Sequence, residues 1–339
     1  MRVQHLLEND CDFQTARLAE ALATRAGEDF DIEQQIIGSP LPALRRLRER
    51  SAEVDLIHAW SLRGLTLAAL AGDRRLIFSP ARLPNRRGIG WLRAMMSYRD
   101  IRVVANSATM QRALIERGIT IDRCHLIRPG VDFSRIQRRR NPALREELGF
   151  CDDDFVILAA GESDRPANHA LAVWTASILY AMDERYKLLF CGRGEKSDSL
   201  RQFAGKLKQP DMVRDAEKTL RRRMEFDELL VAADLVLVTA SAAVPTLPVM
   251  IAMAAGLPIV STVTSELSEL LEDRHSAMLV PKPTPKLIAQ RILDIRQDPS
   301  LQWSISDTAR TEAYEFFPLT KFVNEWREIY RGSAVQGAR

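Results

Sequence analysis

Several residue types and patterns that mark specialised proteins are scarce or missing here. Only four of the 339 residues are cysteines, and Cys11, Cys124, Cys151 and Cys191 form no CxxC pair. That argues against a disulfide or zinc framework and fits reduced, mostly buried thiols. Aromatic residues make up 6%. With so few, and with no recognisable module, no nucleic-acid partner is expected. No run of about eighteen apolar residues occurs, so no segment reads as a membrane span. The opening MRVQHLLENDCDF turns acidic before an apolar core of signal-peptide length develops. No secretory signal is therefore expected, and the expected location is cytoplasmic. The five histidines show neither HxxxH nor HExxH spacing, so no metal and no resident cofactor are expected. A Walker lysine motif and a GxSxG elbow are also missing, and Gly192-Arg193-Gly194 lacks the third glycine of a dinucleotide fingerprint.

Lysine is missing from the first 142 residues, which carry 24 arginines against 16 acidic residues, a local charge of +8. The remainder holds 24 basic and 29 acidic residues, a charge of −5, and all eight lysines. The two halves thus read as electrostatically distinct units. A basic half can face phosphate, nucleic acid or lipid headgroups, or its arginines can simply be solvated helix faces. Hydrophobic residues at 46% and charged residues at 27% describe an ordinary globular chain long enough for two domains.

Short apolar runs alternate with longer amphipathic stretches. Strands are expected at Val54–His58, Arg75–Phe78, Arg102–Ala105, His125–Ile127, Phe155–Ala160, Lys187–Cys191, Leu235–Val238, Pro258–Ser261 and Ala277–Val280. Helical patterns cover Gln14–Ala26, Ala108–Arg117, Asn168–Tyr180, Val249–Ala255 and Pro285–Arg296. The fold class expected is α/β with parallel sheets, whose ligands sit at the carboxyl ends of strands. The charge run and proline in SRIQRRRNPALREELGF suggest a boundary, with Asn141 as a helix N-cap. Domains are expected at 1–140 and 141–317. A last helix, 318–339, should pack back on the first domain through Phe322, Val323, Trp326, Ile329 and Tyr330.

The serial order of motifs resembles the family-four glycosyltransferases. VVANSATMQRALIERGITIDRCHLIRPGVDFSRI is similar to the segment closing that family's first domain, ending in Pro129-Gly130-Val131-Asp132. FVILAAGE and LLFCGRGE resemble the first two strands of its second domain. AADLVLVTAS and MIAMAAGLPIVST resemble the segment around its donor site, and DLIHAW its Asp-x-x-His stretch. The resemblance implies a GT-B architecture, with two Rossmann-like domains facing across a cleft. It further implies retaining transfer of a sugar from a nucleotide-sugar to a glycan or lipid-linked acceptor. Under that resemblance the donor-binding candidates are Gly161, Arg165, Asn168, His169, Arg193, Ser241, Thr246 and Leu247, with His58 as a cleft candidate.

Four positions depart from the family pattern. Its usual arginine, lysine and paired glutamates are replaced by Glu162, Ala167, Ala243 and Ile251. A diphosphate leaving group needs cations or amides near it. Arg165 and the amides of the helix beginning near Asn168 are the candidates left to supply them. Enzymatic activity therefore stays open at this point. The alternative is a catalytically silent GT-B protein that binds a glycan, a nucleotide or a partner glycosyltransferase. Arg45, Arg46, Arg48 and Arg50 beside Leu44 and Leu47, and Arg86, Arg87 and Arg93 beside Trp91 and Leu92, suggest peripheral attachment to an anionic membrane on its inner face.

Overall fold

A computed structural model describes residues 1–335 except 28, 51, 52, 73, 74, 208 and 210. The chain divides into two compact units, Met1–Gly130 with Leu319–Arg339, and Val131–Pro318. Each is an α/β unit built on a six-stranded parallel sheet.

The first unit runs β1 (Arg2–Glu8), α1 (Phe13–Arg25), β2 (Asp31–Ile37), α2 (Pro40–Glu49), β3 (Leu56–Ala59), α3 (Leu62–Ala71), β4 (Arg75–Phe78), α4 (Arg86–Met96), β5 (Ile101–Ala105), α5 (Ala108–Glu116) and β6 (Cys124–Leu126). Its strand order is β2-β1-β3-β4-β5-β6. The strands β3, β4 and β5 are buried on both faces apart from the half-exposed Arg75 and Arg102, as a parallel sheet covered by helices requires. Ser107 caps α5 through the Met110 amide, which follows from its hydroxyl at a helix start. Strands β1 and β2 were not among the expected ones. The strand β2, DIEQQII, is a half-exposed edge, and β1 carries Gln4 and His5 in its buried centre.

The second unit runs α6 (Pro142–Glu147), β7 (Phe155–Ala159), α7 (His169–Met182), β8 (Tyr186–Phe190), α8 (Ser197–Lys206), β9 (Val213–Asp215), α9 (Ala216–Leu220), α10 (Phe226–Leu229), β10 (Leu235–Val238), α11 (Leu247–Ala255), β11 (Ile259–Thr262), β12 (Met278–Val280), α12 (Pro285–Gln297) and α13 (Pro299–Phe316). Its order is β12-β11-β10-β7-β8-β9. Helix α12 packs on α7, and α13 on α11. Asn141 caps α6 through the Leu144 amide.

The division between units falls after Gly130, ahead of the charge run. Residues after it are tied into the second unit: the Val131 amide donates to Phe317 O at 2.8 Å. Phe133 stacks on Tyr314 at 3.9 Å between centroids, and the Asn141 amide donates to Val231 O at 2.9 Å.

The last helix, α14 (Leu319–Val335), belongs to the first unit. It buries Phe322, Val323, Trp326 and Tyr330. Gly130 makes room for it: a Cβ there would lie 2.6 Å from the Phe322 Cβ and 2.9 Å from the Leu319 Cα. Beneath the helix, β1 and β3 pair in register with His5 opposite His58. Side chains alternate along a strand, so both rings and Trp60 turn toward α14. The Tyr330 hydroxyl sits 3.0 Å from His5 Nε2 and 2.8 Å from His58 Nδ1. The His58 ring stacks between Trp60 and Trp326, with centroids at 4.4 and 4.5 Å. His58 is therefore no cleft residue. It is fully buried under α14, with a tyrosine hydroxyl as its partner.

Candidate functional site

The sheet of the second unit reverses its winding between β7 and β10. From β7 the chain proceeds to β8 and β9, and from β10 to β11 and β12, so the loops leaving these neighbours part at the carboxyl edge. Such a switch point opens a crevice for a ligand. The β7–α7 loop is tied on both sides. Toward β10, the Thr239 hydroxyl donates to Ala167 O at 2.8 Å and the Ser241 amide donates to Pro166 O at 2.8 Å. Toward β8, the Ser163 amide donates to Arg193 O at 2.7 Å. Gly194 permits that approach. A Cβ there would fall 2.4 Å from Ser163 O, and its φ of +110° lies in the left-handed region.

The residues expected at a donor site do not converge on one point. Arg165, Asn168 and His169 line a cavity of about 260 Å³ together with Ser163, Asp164, Lys196 and Phe203. Gly161, Arg193, Ser241, Thr246 and Leu247 are not part of its wall. Gly161 turns the chain out of β7, and Ser241 is exposed beside Pro166. Thr246 is buried at the start of α11, makes no side-chain cap, and is followed by Leu247 at the first helical position.

Arg193 is not available to a diphosphate. Its Nε lies 3.1 Å from Glu217 Oε1 and its Nη2 lies 3.2 Å from Glu225 Oε2, and Nη2 donates to Met224 O at 3.0 Å. A cation already shared by two carboxylates adds little to anion binding. His169 is likewise a structural group. It is buried, with Nε2 3.0 Å from Ala160 O and Nδ1 3.0 Å from the Ser163 hydroxyl. A carbonyl only accepts, so Nε2 carries the proton and Nδ1 accepts from Ser163. Burial lowers the His169 pKa, with partial opposition from the Ala160 carbonyl and Asp164, and keeps the ring neutral.

Asn168 starts α7 in a left-handed conformation and its side chain makes no cap bond. Arg165 is exposed at the cavity mouth. Sequence reasoning missed Lys196, which shares that wall. It lies in an aperiodic turn, and its only signal was a lysine directly following the Gly-x-Gly turn and Glu195. Burial raises the Cys191 thiol to about 12, which removes it as a nucleophile. Among the described residues no group of His, Cys, Asp and Glu is placed to hold a metal ion.

The glycosyl transferases group 1 family model matches residues 140–312, and the glycosyltransferase family 4 model matches residues 18–135. The chain belongs to the group 1 glycosyltransferases. A D-inositol 3-phosphate glycosyltransferase of Catenulispora acidiphila is 28% identical over 248 residues, covering 70% of this chain and 58% of that protein. An N-acetyl-alpha-D-glucosaminyl L-malate synthase of Bacillus anthracis is 22% identical, covering 60% of this chain and 55% of that protein. The chain thus spans little more than half the length of the curated relatives it matches. Among solved structures, Anabaena Alr3699/HepE in complex with UDP-glucose aligns with a TM-score of 0.83 at 18% identity, covering 98% of this chain and 100% of that one. Sucrose-phosphate synthase of Thermosynechococcus elongatus aligns at 0.79 and 15% identity over the full length of both chains. These likenesses show the GT-B fold.

Two of the four positions read above as departures from the family pattern are packed in the core. Ile251 and Ala167 are buried, at 5% and 6% exposure. A glutamate at the first would be a desolvated carboxylate among the apolar residues of α11, so the isoleucine suits packing and accepts no hydrogen bond. Ala167 turns its carbonyl to Thr239 and presents no charge. What remains at the switch point is backbone: the end of β7 at Gly161, the end of β10 near Ser241, and the start of α11 at Thr246. Oriented amides at a helix start favour anions. No helix among the described residues is long and apolar enough to cross a membrane.

Proposed function

We propose that the protein transfers a sugar from a nucleotide-sugar donor to a glycan or lipid-linked acceptor, with the donor held by the second unit between β7 and β10. The single observation that carries this reading is the match of the group 1 family over that unit, on a sheet whose switch point lies at the expected loops. Relatives named as glycosyltransferases and a structural neighbour in complex with UDP-glucose support the class of donor. In this reading Gly161, Ser241, Thr246 and Leu247 border the diphosphate, while Arg165 and Asn168 line the neighbouring cavity between α7 and α8 and are not counted among its contacts. The test is a thermal-shift screen with UDP, GDP, ADP and their sugars, followed by an assay for release of nucleoside diphosphate. A true donor at a hundred times its dissociation constant stabilises by about 2.7 kcal/mol. No shift with any nucleotide-sugar would refute the reading.

A second reading has an observation of its own. Glu162, Ala167, Ala243 and Ile251 stand where the family pattern has charged or accepting groups, and Arg193 is neutralised by Glu217 and Glu225. In this reading the protein binds a nucleotide-sugar or a partner transferase without turnover. A thermal shift without nucleoside diphosphate release, across the acceptors tried, would favour it.

For the first unit we propose peripheral contact with an anionic bilayer through the layer of α2, α3 and α4. Leu41, Leu70 and Trp91 are exposed there at 79%, 57% and 47%. Arg48 ties α2 to α3 by donating to Leu70 O at 3.2 Å, and the Trp91 indole ties α4 to α3 by donating to the Thr66 hydroxyl at 3.0 Å. Arg46, Arg86 and Arg87 are exposed and make no ion pair among the described residues. Arg45 and Arg50, by contrast, pair with Glu49 at 2.7 Å and Glu33 at 2.6 Å, which lowers the charge offered to lipid. Co-sedimentation with anionic and neutral vesicles decides the matter. Equal binding to both would remove this role.

A further inference from the structure

The cavity between α7 and α8 has no residue of α11 in its wall and opens onto an unusual surface. Its two cations, Arg165 and Lys196, form no ion pair among the described residues. The one carboxylate in its wall, Asp164, accepts from the Ala167 amide through Oδ1 at 2.8 Å. The α7 sequence, HALAVWTASILYAM, holds no Asp, Glu, Lys or Arg. A helix apolar on every side is normally enclosed. Helix α7 instead exposes Trp174, Ile178 and Met182 at 49%, 36% and 64%. These follow Ala170, a cavity residue, at four-residue steps, which form one ridge on a helix. The Trp174 ring lies 5.3 Å from Phe203, whose side chain also lines the cavity. Cations at one end therefore run without a break into an apolar ridge of about 18 Å.

We propose that this cavity and ridge bind one phosphate-headed, single-chain amphiphile. Its phosphate lies between Arg165 and Lys196, near the uncapped start of α7, and its chain follows Ala170, Trp174 and Ile178. Two cations match a doubly charged phosphate ester. A contiguous apolar surface of this kind marks a binding site in a soluble unit. A protein partner seated on the ridge would leave the cavity unfilled, and a flat bilayer would touch the ridge without entering it. A chain with a charged head occupies both.

The test titrates the full chain with octyl phosphate below its micelle concentration, by calorimetry. One molecule is expected per chain. Inorganic phosphate and octyl glucoside, each carrying half of the ligand, are expected to bind at least about tenfold more weakly than octyl phosphate. Arg165→Ala combined with Lys196→Ala is expected to weaken octyl phosphate by about tenfold or more, and Arg165→Lys with Lys196→Arg to restore it. Ile178→Ser is expected to weaken it about threefold. Equal binding of inorganic phosphate or of octyl glucoside overturns the proposal. So does full displacement by UDP, which would place the cavity inside the donor site. A dimer in sedimentation that Ile178→Ser dissociates would show that the ridge is covered by a second copy, and would also overturn it. Circular dichroism of each variant separates lost binding from lost folding.

Discussion

The two units share one sheet plan and use their polar residues in opposite ways. In the first, His5 and His58 sit in buried strands beneath α14, and one ring nitrogen of each meets the Tyr330 hydroxyl while the other is buried without a partner. In the second, the two central strands β7 and β10 are wholly apolar, and polar groups such as Ser241, Arg165 and Lys196 gather on the loops and helix starts at the carboxyl edge. A buried polar group in a strand serves cohesion, because it cannot reach a ligand and is costly to leave unpaired. A polar group at a strand end is available for binding. The same residue type, histidine or arginine, therefore means different things in the two units.

The largest expected effect lies in the sealed region. Trp326→Ala removes a side chain that is 1% exposed and stacks on His58. It should lower the stability of the first unit by about 3–5 kcal/mol. Hydrogen exchange resolved by peptide should show faster exchange in β1, β3 and α14, with the second unit unchanged. Loss of protection in both units alike would break the comparison.

Acid should have the next effect. Burial lowers the His5 pKa to about 3, and burial followed by the neighbouring His5 lowers that of His58 well below its usual value. Both folded-state values lie below the unfolded value of about 6.5. The unfolded chain therefore binds protons first, and stability present above about pH 6.5 is lost as pH falls toward the folded values. The slope is about 1.4 kcal/mol per pH unit for each histidine. Denaturation of the first unit at pH 7 and pH 5 checks this, and no difference between them would contradict it.

Tyr330→Phe keeps the ring and removes the hydroxyl that both histidines share. The expected loss is about 1–3 kcal/mol, from buried groups left without a partner. Urea titration of the purified variant measures it, and a neutral substitution would mean that water or rearrangement satisfies the rings. The smallest expected effect is on the open side. Arg165→Ala should change stability by less than about 0.5 kcal/mol, since the side chain is exposed and makes no ion pair among the described residues. Thermal unfolding with no ligand checks this. A large loss would show that Arg165 holds the loop together and is not kept for binding.

Much of the fold was legible in the sequence, and the reasons are physical. The strands β4 and β10 appear at their expected limits because their apolar runs are continuous and bounded by turn or charge signals. The strands β1, β2 and β9 were not anticipated. The strand β2 is a polar edge and β9 is only three residues long. The centre of β1 is polar because its partner residues lie far along the chain: Gln4 donates to Gln35 at 2.6 Å, and His5 meets Tyr330. No local pattern can announce a partner 325 residues away. At the candidate site, the loop positions followed from motif order. The neutralisation of Arg193 did not, because Glu217 reaches it from α9 and Glu225 from the cap of α10. Nor did the pairing of Lys196 with Arg165 across two loops.

The proposal to test is that the donor is held mainly by the second unit, at the loops leaving β7 and β10. Hydrogen exchange with and without UDP-glucose, resolved by peptide, tests it most directly. The account predicts added protection in residues 160–168 and 239–250, with none in the β1, β3 and α14 region of the first unit. Protection confined to the first unit, or no change anywhere at millimolar UDP-glucose together with no response to GDP- or ADP-glucose, would contradict it.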